Sequence, residues 1–212
     1  IYGMEVGRRF VAAEAVERVL VIGGEKLSMV TDWQDRATCV LFGDGAGAAV
    51  LGPAQGTRGI LSTVMGADGS LTGLLNVPAG GSRNPASRKT LDERMHYIRM
   101  EGKEVFKHAV RCMSDACMKV LGESGHRIED IQWIIPHQAN MRIISAIADR
   151  LGVSEDHLCV NLSRVGNMSS ASIPVALDEA VRGGKVKKGD LILFVAFGGG
   201  FTWGASVMEW GY

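Results

Sequence analysis

Two polar residues follow apolar, strand-like segments, where a side chain can reach a ligand. His137 comes directly after the apolar run of "WIIPHQAN" (133–140), and Asn167 ends "SRVGN" (163–167). A histidine can transfer a proton or share a hydrogen bond, and an asparagine amide can donate hydrogen bonds without carrying charge. Taken singly, each residue favours a structural interpretation, in which its polar atoms are satisfied by nearby backbone groups.

A glycine-rich segment adds a third loop to this pattern. "FGGGFTWG" (197–204) places three glycines after a strand that is apolar enough to be buried. Glycine permits backbone conformations that direct N–H groups at a ligand, where they can stabilise a developing oxyanion. A tight turn is the alternative interpretation. Together the three loops predict a site in which His137, Asn167 and backbone N–H groups converge.

The elements that must position these loops alternate regularly. The sequence predicts strand 131–135, helix 140–151 ended by Gly152, strand 158–162, helix 170–182 and strand 191–197. This βαβαβ order is typical of an α/β protein with a largely parallel sheet. Ligand groups gather at the carboxyl ends of the strands in such sheets, so we expect His137 and Asn167 at the same edge.

The first part of the chain repeats this pattern weakly. "RVLVIGG" (18–24) predicts a strand buried on both faces, and it follows a predicted helix 4–18 with Val6, Phe10, Val11 and Ala13 on one side. Small residues in "CVLFGDGAGAAVLG" (39–52) interrupt a β pattern and let other backbone come close. If this part matches the "LILFVAFGGG" and "FTWGASVME" segments, the counterpart of the Asn167 loop falls upstream of Ile1.

The middle of the chain is the least regular. Glycine, serine, asparagine and proline crowd residues 66–87, which predicts a loop-rich stretch over 62–99 that could act as a lid. A helix is predicted from Gly102 to Leu121, ended by Gly122. Its helically spaced apolar positions are Phe106, Ala109, Val110, Met113, Cys117, Val120 and Leu121.

Composition limits the possible function classes. The 212 residues are 46% hydrophobic and 22% charged, which is typical of a soluble globular chain. The 23 basic and 23 acidic residues balance, so no general attraction to nucleic acid or membrane follows. No apolar run approaches the roughly 20 residues of a membrane helix. The four cysteines lack CxxC spacing, which favours a reducing compartment, and the opening at Ile1 indicates a cut chain.

Four segments resemble the thiolase-fold condensing enzymes, and among them the β-ketoacyl-acyl carrier protein synthase III family. They are "DRATCVLFGDGAGAAVL", "PHQANMRII", "RVGNMSSASIPVALDEA" and "FGGGFTWGASV". The resemblance implies a thiolase-like five-layer αβαβα fold with two pseudo-equivalent halves, the first of them incomplete. Residues 1–62 would be the remainder of the N-terminal half, 63–99 a loop-rich connection, and 100–212 the C-terminal half that carries the histidine and the asparagine.

The resemblance also implies a Cys-His-Asn triad, with His137 and Asn167 as its last two members. The family cysteine would lie a short distance upstream of Ile1. We interpret the cysteines that are present as small buried hydrophobes: Cys39, Cys112, Cys117 and Cys159. Gly199 would contribute an oxyanion-hole N–H, and Asn140 and Phe197 would support the site. A helix N-cap is the alternative role for Asn140.

Substrate contacts are implied by the same resemblance. Coenzyme A would contact Arg36, Met100 and Gly102; Phe106 and Ala109 would line the acyl and pantetheine channel; and Lys107, Arg142 and Arg150 would dock the acidic carrier protein. Asp149 weakens that basic patch, because a basic residue is common at its position. The alternatives are that Arg36 is simply solvated, and that the residues of the helix beginning at Gly102 only pack in the core.

The implied function is decarboxylative condensation of a short acyl-CoA, acetyl-CoA first, with malonyl-acyl carrier protein, which initiates fatty acid biosynthesis. The enzyme would be a cytoplasmic homodimer without metal or redox cofactor. Asn167 distinguishes this family from elongating synthases with a second histidine and from degradative thiolases with a second cysteine. The alternatives are a condensing enzyme with another starter or extender, such as a polyketide starter synthase, and a non-catalytic acyl-CoA or carrier-protein binding fragment.

Overall fold

This computed structural model describes residues 1–54, 56 and 58–212, which form both helices and strands. The strands are β1 (Val19–Lys26), β2 (Asp44–Leu51), β3 (Gly59–Ala67), β4 (Leu75–Asn76), β5 (Arg99–Met100), β6 (Trp133–Pro136), β7 (Leu191–Gly198) and β8 (Thr202–Glu209). The helices are α1 (Tyr2–Ala12), α2 (Arg88–Asp92), α3 (Gly102–Ser124), α4 (Met141–Leu151), α5 (Leu162–Val165) and α6 (Ser172–Arg182).

The largest sheet has the strand order β3-β8-β7-β6. Its central strand β7 is an unbroken apolar run, and its residues 192–195 are fully buried between layers of helix. Only β6 and β7 are parallel, whereas β8 is antiparallel to both β7 and β3. The prediction of a largely parallel sheet is therefore wrong for the described residues.

The predicted strand 158–162 is also wrong. This segment makes a single parallel bridge, between Leu158 and Ile134, and then continues into α5. The buried side chain of Gln138 replaces the expected strand ladder: its Nε2 donates to the carbonyl of Cys159 at 3.1 Å, and its Oε1 accepts from the N–H of Asn161 at 3.2 Å.

Helices cover both faces of the large sheet. Helix α3 packs on one face and joins α4 and β8 in the larger core cluster, while α6 packs on the other face against β6 and β7. Helix α3 passes through Gly122 and ends at Gly125, because Gly125 adopts the left-handed conformation (φ 73°) that ends a helix. Helix α4 is confirmed, with Asn140 before it and Gly152 (φ 69°) after it.

The first part of the chain forms an antiparallel pair, β1 with β2, that packs against the segment leading into α6. Close approach is possible because Gly23 and Gly47 face Ser170 and Pro174 without a side chain. Strand β1 is not buried on both faces, since Leu20 is 59% and Ile22 is 65% exposed.

Helix α1 is shorter than predicted. It ends at Ala12, and Glu14 (φ 54°) then turns the chain in a left-handed conformation that a continuing helix cannot accommodate. The apolar positions predicted on one side of this helix include Val6 and Phe10, which are 55% and 52% exposed.

The stretch predicted to be loop-rich, 62–99, is more regular than predicted. Strand β3 continues to Ala67 and pairs with β8, so position 62 lies inside a strand of the large sheet. The stretch that follows contains helix α2 and the short antiparallel pair β4 and β5. Within the described parts of the chain, no helix combines the length and the apolar character needed to cross a membrane.

Candidate active site

His137 stands at the end of β6 and is held by its backbone. Its N–H donates to the carbonyl of Val195 on β7 at 2.7 Å, and its carbonyl accepts from the N–H of Ala139 at 2.8 Å. The ring makes no hydrogen bond to any residue that the structure describes, although the side chain is half-buried. His137 is therefore not a structural histidine whose ring is satisfied by a backbone carbonyl.

The surroundings of His137 favour its neutral form. Its pKa is lowered from 6.5 to about 4, mainly by burial, while the carboxylate of Glu25 acts in the opposite direction. The imidazole is consequently uncharged near pH 7, and it can donate a hydrogen bond without acting as a strong acid.

Asn167 lies between α5 and α6 and is fixed by both its backbone and its side chain. Its N–H donates to the carbonyl of Leu41 at 2.9 Å, and its own carbonyl accepts from the N–H of Gly43 at 2.8 Å. Its side-chain Oδ1 accepts from the N–H of Ser169 at 2.9 Å. A backbone N–H can only donate, so this contact identifies the amide oxygen and leaves the NH₂ group as the free end. Within the described residues, that NH₂ group has no partner.

A small cavity of about 60 Å³ brings part of the predicted site together. Its lining includes five of the predicted site residues: Met100, Ala109, Asn140, Asn167 and Phe197. His137 and Gly199 do not line it, but the neighbours Ala139 and Gly198 do. The two loops that carry His137 and Gly199 therefore border the cavity into which the Asn167 loop faces.

Glu25 links His137 to the Asn167 loop, and sequence reasoning missed it. Its Oε1 accepts hydrogen bonds from the N–H of Ser170 at 3.2 Å and from the hydroxyl of Ser170 at 2.5 Å. The same carboxylate is close enough to His137 to raise its pKa. The available signal was an acidic residue near the end of the apolar run "VLVIGGEK".

Asn140 caps helix α4, as the alternative interpretation of this residue predicted. Its Oδ1 accepts from the N–H of Ile143 at 2.9 Å, which satisfies one of the unpaired donors in the first turn. Asn140 also lines the cavity, as Asn167 does. The cap thus fixes the direction in which the Asn140 side chain meets the cavity.

The glycine loop is a tight turn that leaves a backbone donor free. Gly199 is exposed, and its N–H has no hydrogen-bond partner in the described residues. Phe201 anchors the turn, because its N–H and carbonyl bond to the carbonyl and N–H of Asp68 at 2.9 and 2.8 Å. Its ring is fully buried and lies 4.7 Å from the ring of Phe197.

Of the predicted substrate-contact residues, Met100 and Ala109 line the cavity, and the others lie outside its lining. Arg36 is exposed on the segment between β1 and β2, near Trp33, which is 66% exposed. Gly102 begins α3 without lining the cavity, and Phe106 lies under the guanidinium of Arg142 at 5.6 Å.

The three predicted docking cations lie on the neighbouring helices α3 and α4. Lys107 pairs with Glu104 at 2.6 Å, and Arg150 lies 4.0 Å from Asp115. Both pairs are largely exposed, so each contributes little stability and leaves the cation accessible to a partner.

The cysteines are free, and three are poor candidates for a nucleophile. Burial raises the pKa of Cys112, Cys117 and Cys159, which keeps each thiol protonated. Cys39 is half-buried on the segment before β2. In the part of the chain that the structure describes, no three histidine, cysteine or acidic residues group to hold a metal.

A larger cleft of about 610 Å³ lies between α5 and α6. Its polar lining includes Asn161, Arg164, Glu179 and Lys185, and none of the predicted site residues lines it. We assign the chemistry to the smaller cavity, because the unpartnered amide of Asn167 and the loop of His137 meet there.

Comparisons with known proteins agree with the resemblance. The family model of 3-oxoacyl-[acyl-carrier-protein (ACP)] synthase III matches residues 1–69, and the model of its C-terminal part matches residues 121–210. Over 210 residues, the chain is 51% identical to a β-ketoacyl-[acyl-carrier-protein] synthase III of Desulfitobacterium hafniense and 52% identical to that of Caldanaerobacter subterraneus. Each alignment covers 99% of this chain and 63% of the relative.

A solved structure gives the same result. The crystal structure of 3-oxoacyl-[acyl-carrier-protein] synthase III from Aquifex aeolicus has a TM-score of 0.88 and 46% identity, over 99% of this chain and 63% of that one. The predicted thiolase-like α/β fold is confirmed, and the chain spans about 63% of the length of these relatives. The chain belongs to the 3-oxoacyl-[acyl-carrier-protein] synthase III family.

Proposed function

We propose that the protein condenses a short acyl-CoA, such as acetyl-CoA, with malonyl-acyl carrier protein and releases carbon dioxide, which initiates fatty acid biosynthesis. The free NH₂ group of Asn167 carries this proposal, because its oxygen is held by Ser169 and only the donor end remains for a ligand. The names of the related proteins and the similarity over nearly the whole chain support the same reaction.

Decarboxylation of a malonyl thioester places negative charge on the thioester oxygen as an enolate forms. Two uncharged donors suit that oxygen: the Asn167 amide and the His137 imidazole, which is neutral because its pKa is about 4. A stronger acid in either position would protonate the carbanion and waste it. The carbanion then attacks the acyl thioester on the enzyme, and the free N–H of Gly199 would stabilise the oxyanion that forms. Collapse of this oxyanion breaks the carbon–sulfur bond, which frees the enzyme thiolate and leaves β-ketoacyl-acyl carrier protein as the product.

We infer that the acyl group is carried by a cysteine that precedes Ile1 in the longer protein. The raised pKa of Cys112, Cys117 and Cys159 argues against these thiols.

Substrate binding is proposed on the surfaces around the cavity. Coenzyme A would contact Arg36, Met100 and Gly102, and its pantetheine arm would pass Phe106 and Ala109. The carrier protein would dock on Lys107, Arg142 and Arg150. Such contacts between exposed charges weaken with salt, so we expect the KM for malonyl-acyl carrier protein to rise with ionic strength while acylation by acyl-CoA changes less.

We also propose a homodimer that works in the cytoplasm without a metal or redox cofactor. The exposed apolar residues Leu20, Ile22 and Val50 on β1 and β2 support a covering partner surface for this pair of strands. Size-exclusion chromatography with light scattering on the full-length protein tests the dimer, and a monomer at micromolar concentration would contradict it.

The decisive experiment replaces Asn167 by Ala in the full-length protein and measures enzyme acylation and malonyl decarboxylation separately. We expect acylation to survive and decarboxylation to fall by a factor on the order of a hundred or more, as the loss of one oxyanion donor does elsewhere. Unchanged decarboxylation would refute the role of Asn167. Panels of acyl-CoA starters against malonyl-acyl carrier protein and malonyl-CoA then separate this function from another condensing activity.

A further inference from the structure

We propose that Glu25 is a positioning residue, which holds the turn after Asn167 so that the Asn167 NH₂ group faces the substrate. The inference rests on the proposed condensing function. Glu25 does not touch the reacting atoms in this arrangement. It acts through Ser170, three positions after Asn167, and its contribution is to the orientation of the amide.

Strand β1 contacts this turn at two positions, Glu25 and Gly23. Glu25 Oε1 accepts both the N–H and the hydroxyl of Ser170, so one carboxylate oxygen binds two donors of the same residue. Two positions earlier, Gly23 brings the strand against the Ser170 carbonyl so closely that a Cβ would lie 2.5 Å from its oxygen. Strand β1 therefore fixes both sides of the Ser170 backbone.

The held turn includes a residue in an unfavourable conformation. Ser169 has a φ of 45°, which lies in the left-handed region that residues other than glycine rarely adopt. In this conformation its N–H donates to Asn167 Oδ1. A strained conformation persists only where the surroundings hold it. Glu25 supplies that support from the next residue along.

No ion pair that the structure describes accounts for the negative charge of Glu25, whereas its hydrogen bonds to Ser170 do. Within residues 1–54, 56 and 58–212, no cationic nitrogen lies within 4.0 Å of its carboxylate. The carboxylate also raises the pKa of His137, which opposes the neutral imidazole that the reaction requires. A carboxylate here is therefore unfavourable for His137, but it makes stronger hydrogen bonds to Ser170 than a neutral acceptor would.

The test uses the full-length protein and four variants: Glu25→Ala, Glu25→Gln, Ser170→Ala and the control Glu129→Ala, which changes an exposed glutamate before β6. Acylation and malonyl decarboxylation are measured separately, and amide hydrogen exchange is followed at Ser169 and Ser170. We expect Glu25→Ala to lower decarboxylation on the order of ten- to a hundredfold, as small misplacements of catalytic groups do, with acylation changed less than about twofold. The Ser170 amide should exchange faster in this variant.

The other variants separate positioning from general loss of structure. Glu25→Gln keeps an acceptor oxygen and should recover most of the decarboxylation, whereas Ser170→Ala removes one of two donors and should lose part of it. Glu129→Ala should match the wild type. Decarboxylation within about twofold of the wild type in Glu25→Ala overturns the proposal; if that variant does not fold, full decarboxylation in Ser170→Ala overturns it. A wild type without decarboxylation contradicts the proposed function instead, and the exchange data then decide whether Glu25 holds the turn.

Discussion

Gly23 offers a sharp test of how the Asn167 loop is held, because its neighbour Gly24 is a matched control. A Cβ at position 23 would lie 2.5 Å from the carbonyl oxygen of Ser170, whereas a Cβ at position 24 meets nothing within 4 Å. Ordinary contact begins at 3.4 Å, so Gly23→Ala must displace β1 and the turn relative to one another by about 0.9 Å. The atom in the way belongs to backbone, which cannot swing aside as a flexible side chain can.

Two consequences of that displacement can be measured. Overpacking of this kind costs about 1–3 kcal/mol, and in a protein of this size each kcal/mol lowers Tm by ~2–4 °C. A displacement near 1 Å at the donor should lower malonyl decarboxylation on the order of a hundredfold. Thermal unfolding and the decarboxylation assay, applied to Gly23→Ala and Gly24→Ala of the full-length protein, check both values.

The comparison of the two variants decides the question. Gly24→Ala should unfold and react as the wild type does, since position 24 is exposed and unobstructed. If Gly23→Ala is as stable and as active as Gly24→Ala, then β1 does not constrain the turn that carries Asn167. The geometric argument for the site would fail with it.

Two further predictions concern His137 and Asn140. The pKa of His137 in the folded protein, about 4, is below its ordinary value of 6.5, so between these pH values the unfolded chain binds a proton that the folded protein does not. The free energy of unfolding should therefore decrease as pH falls from about 6.5 to about 4. His137→Gln should flatten that part of the pH profile in urea titrations, and an unchanged profile would contradict the assignment. Asn140→Ala should lower the free energy of unfolding by about 1 kcal/mol through loss of the helix cap, and Asn140→Asp, which keeps the acceptor, should restore it; equal losses in the two variants would exclude the cap as the cause.

The elements with strong local signals could be predicted from sequence. Helix α4 is bounded by an asparagine cap and a left-handed glycine, both of which are local features that do not depend on distant contacts. The apolar run of β7 likewise predicts a buried central strand. The loop of His137 could be predicted because a polar residue follows the apolar run of β6 directly, whereas the strand expected before Asn167 is absent from the described residues.

Features that depend on distant contacts could not be predicted. The pairing of β3 with β8 joins residues far apart in the chain, and the exposure of Leu20 and Ile22 depends on which surfaces cover β1. The loss of the strand at 158–162 follows from one buried glutamine, whose side-chain bonds resemble those of a strand neighbour. Gly122 and Gly125 are both suitable helix ends by residue type, and only their backbone conformation distinguishes them.

The backbone of Asn167 is hydrogen-bonded on both sides to the segment just before β2, through Leu41 and Gly43. The Asn167 amide is thus held by contact between the segment before β2 and the loop before α6, and α6 in turn packs on the large sheet. Local opening of this contact would displace the Asn167 amide from the cavity before the rest of either sheet unfolds. Malonyl decarboxylation would stop while this contact is broken. A partly opened molecule would therefore not release carbon dioxide from its substrate without also forming the condensation product.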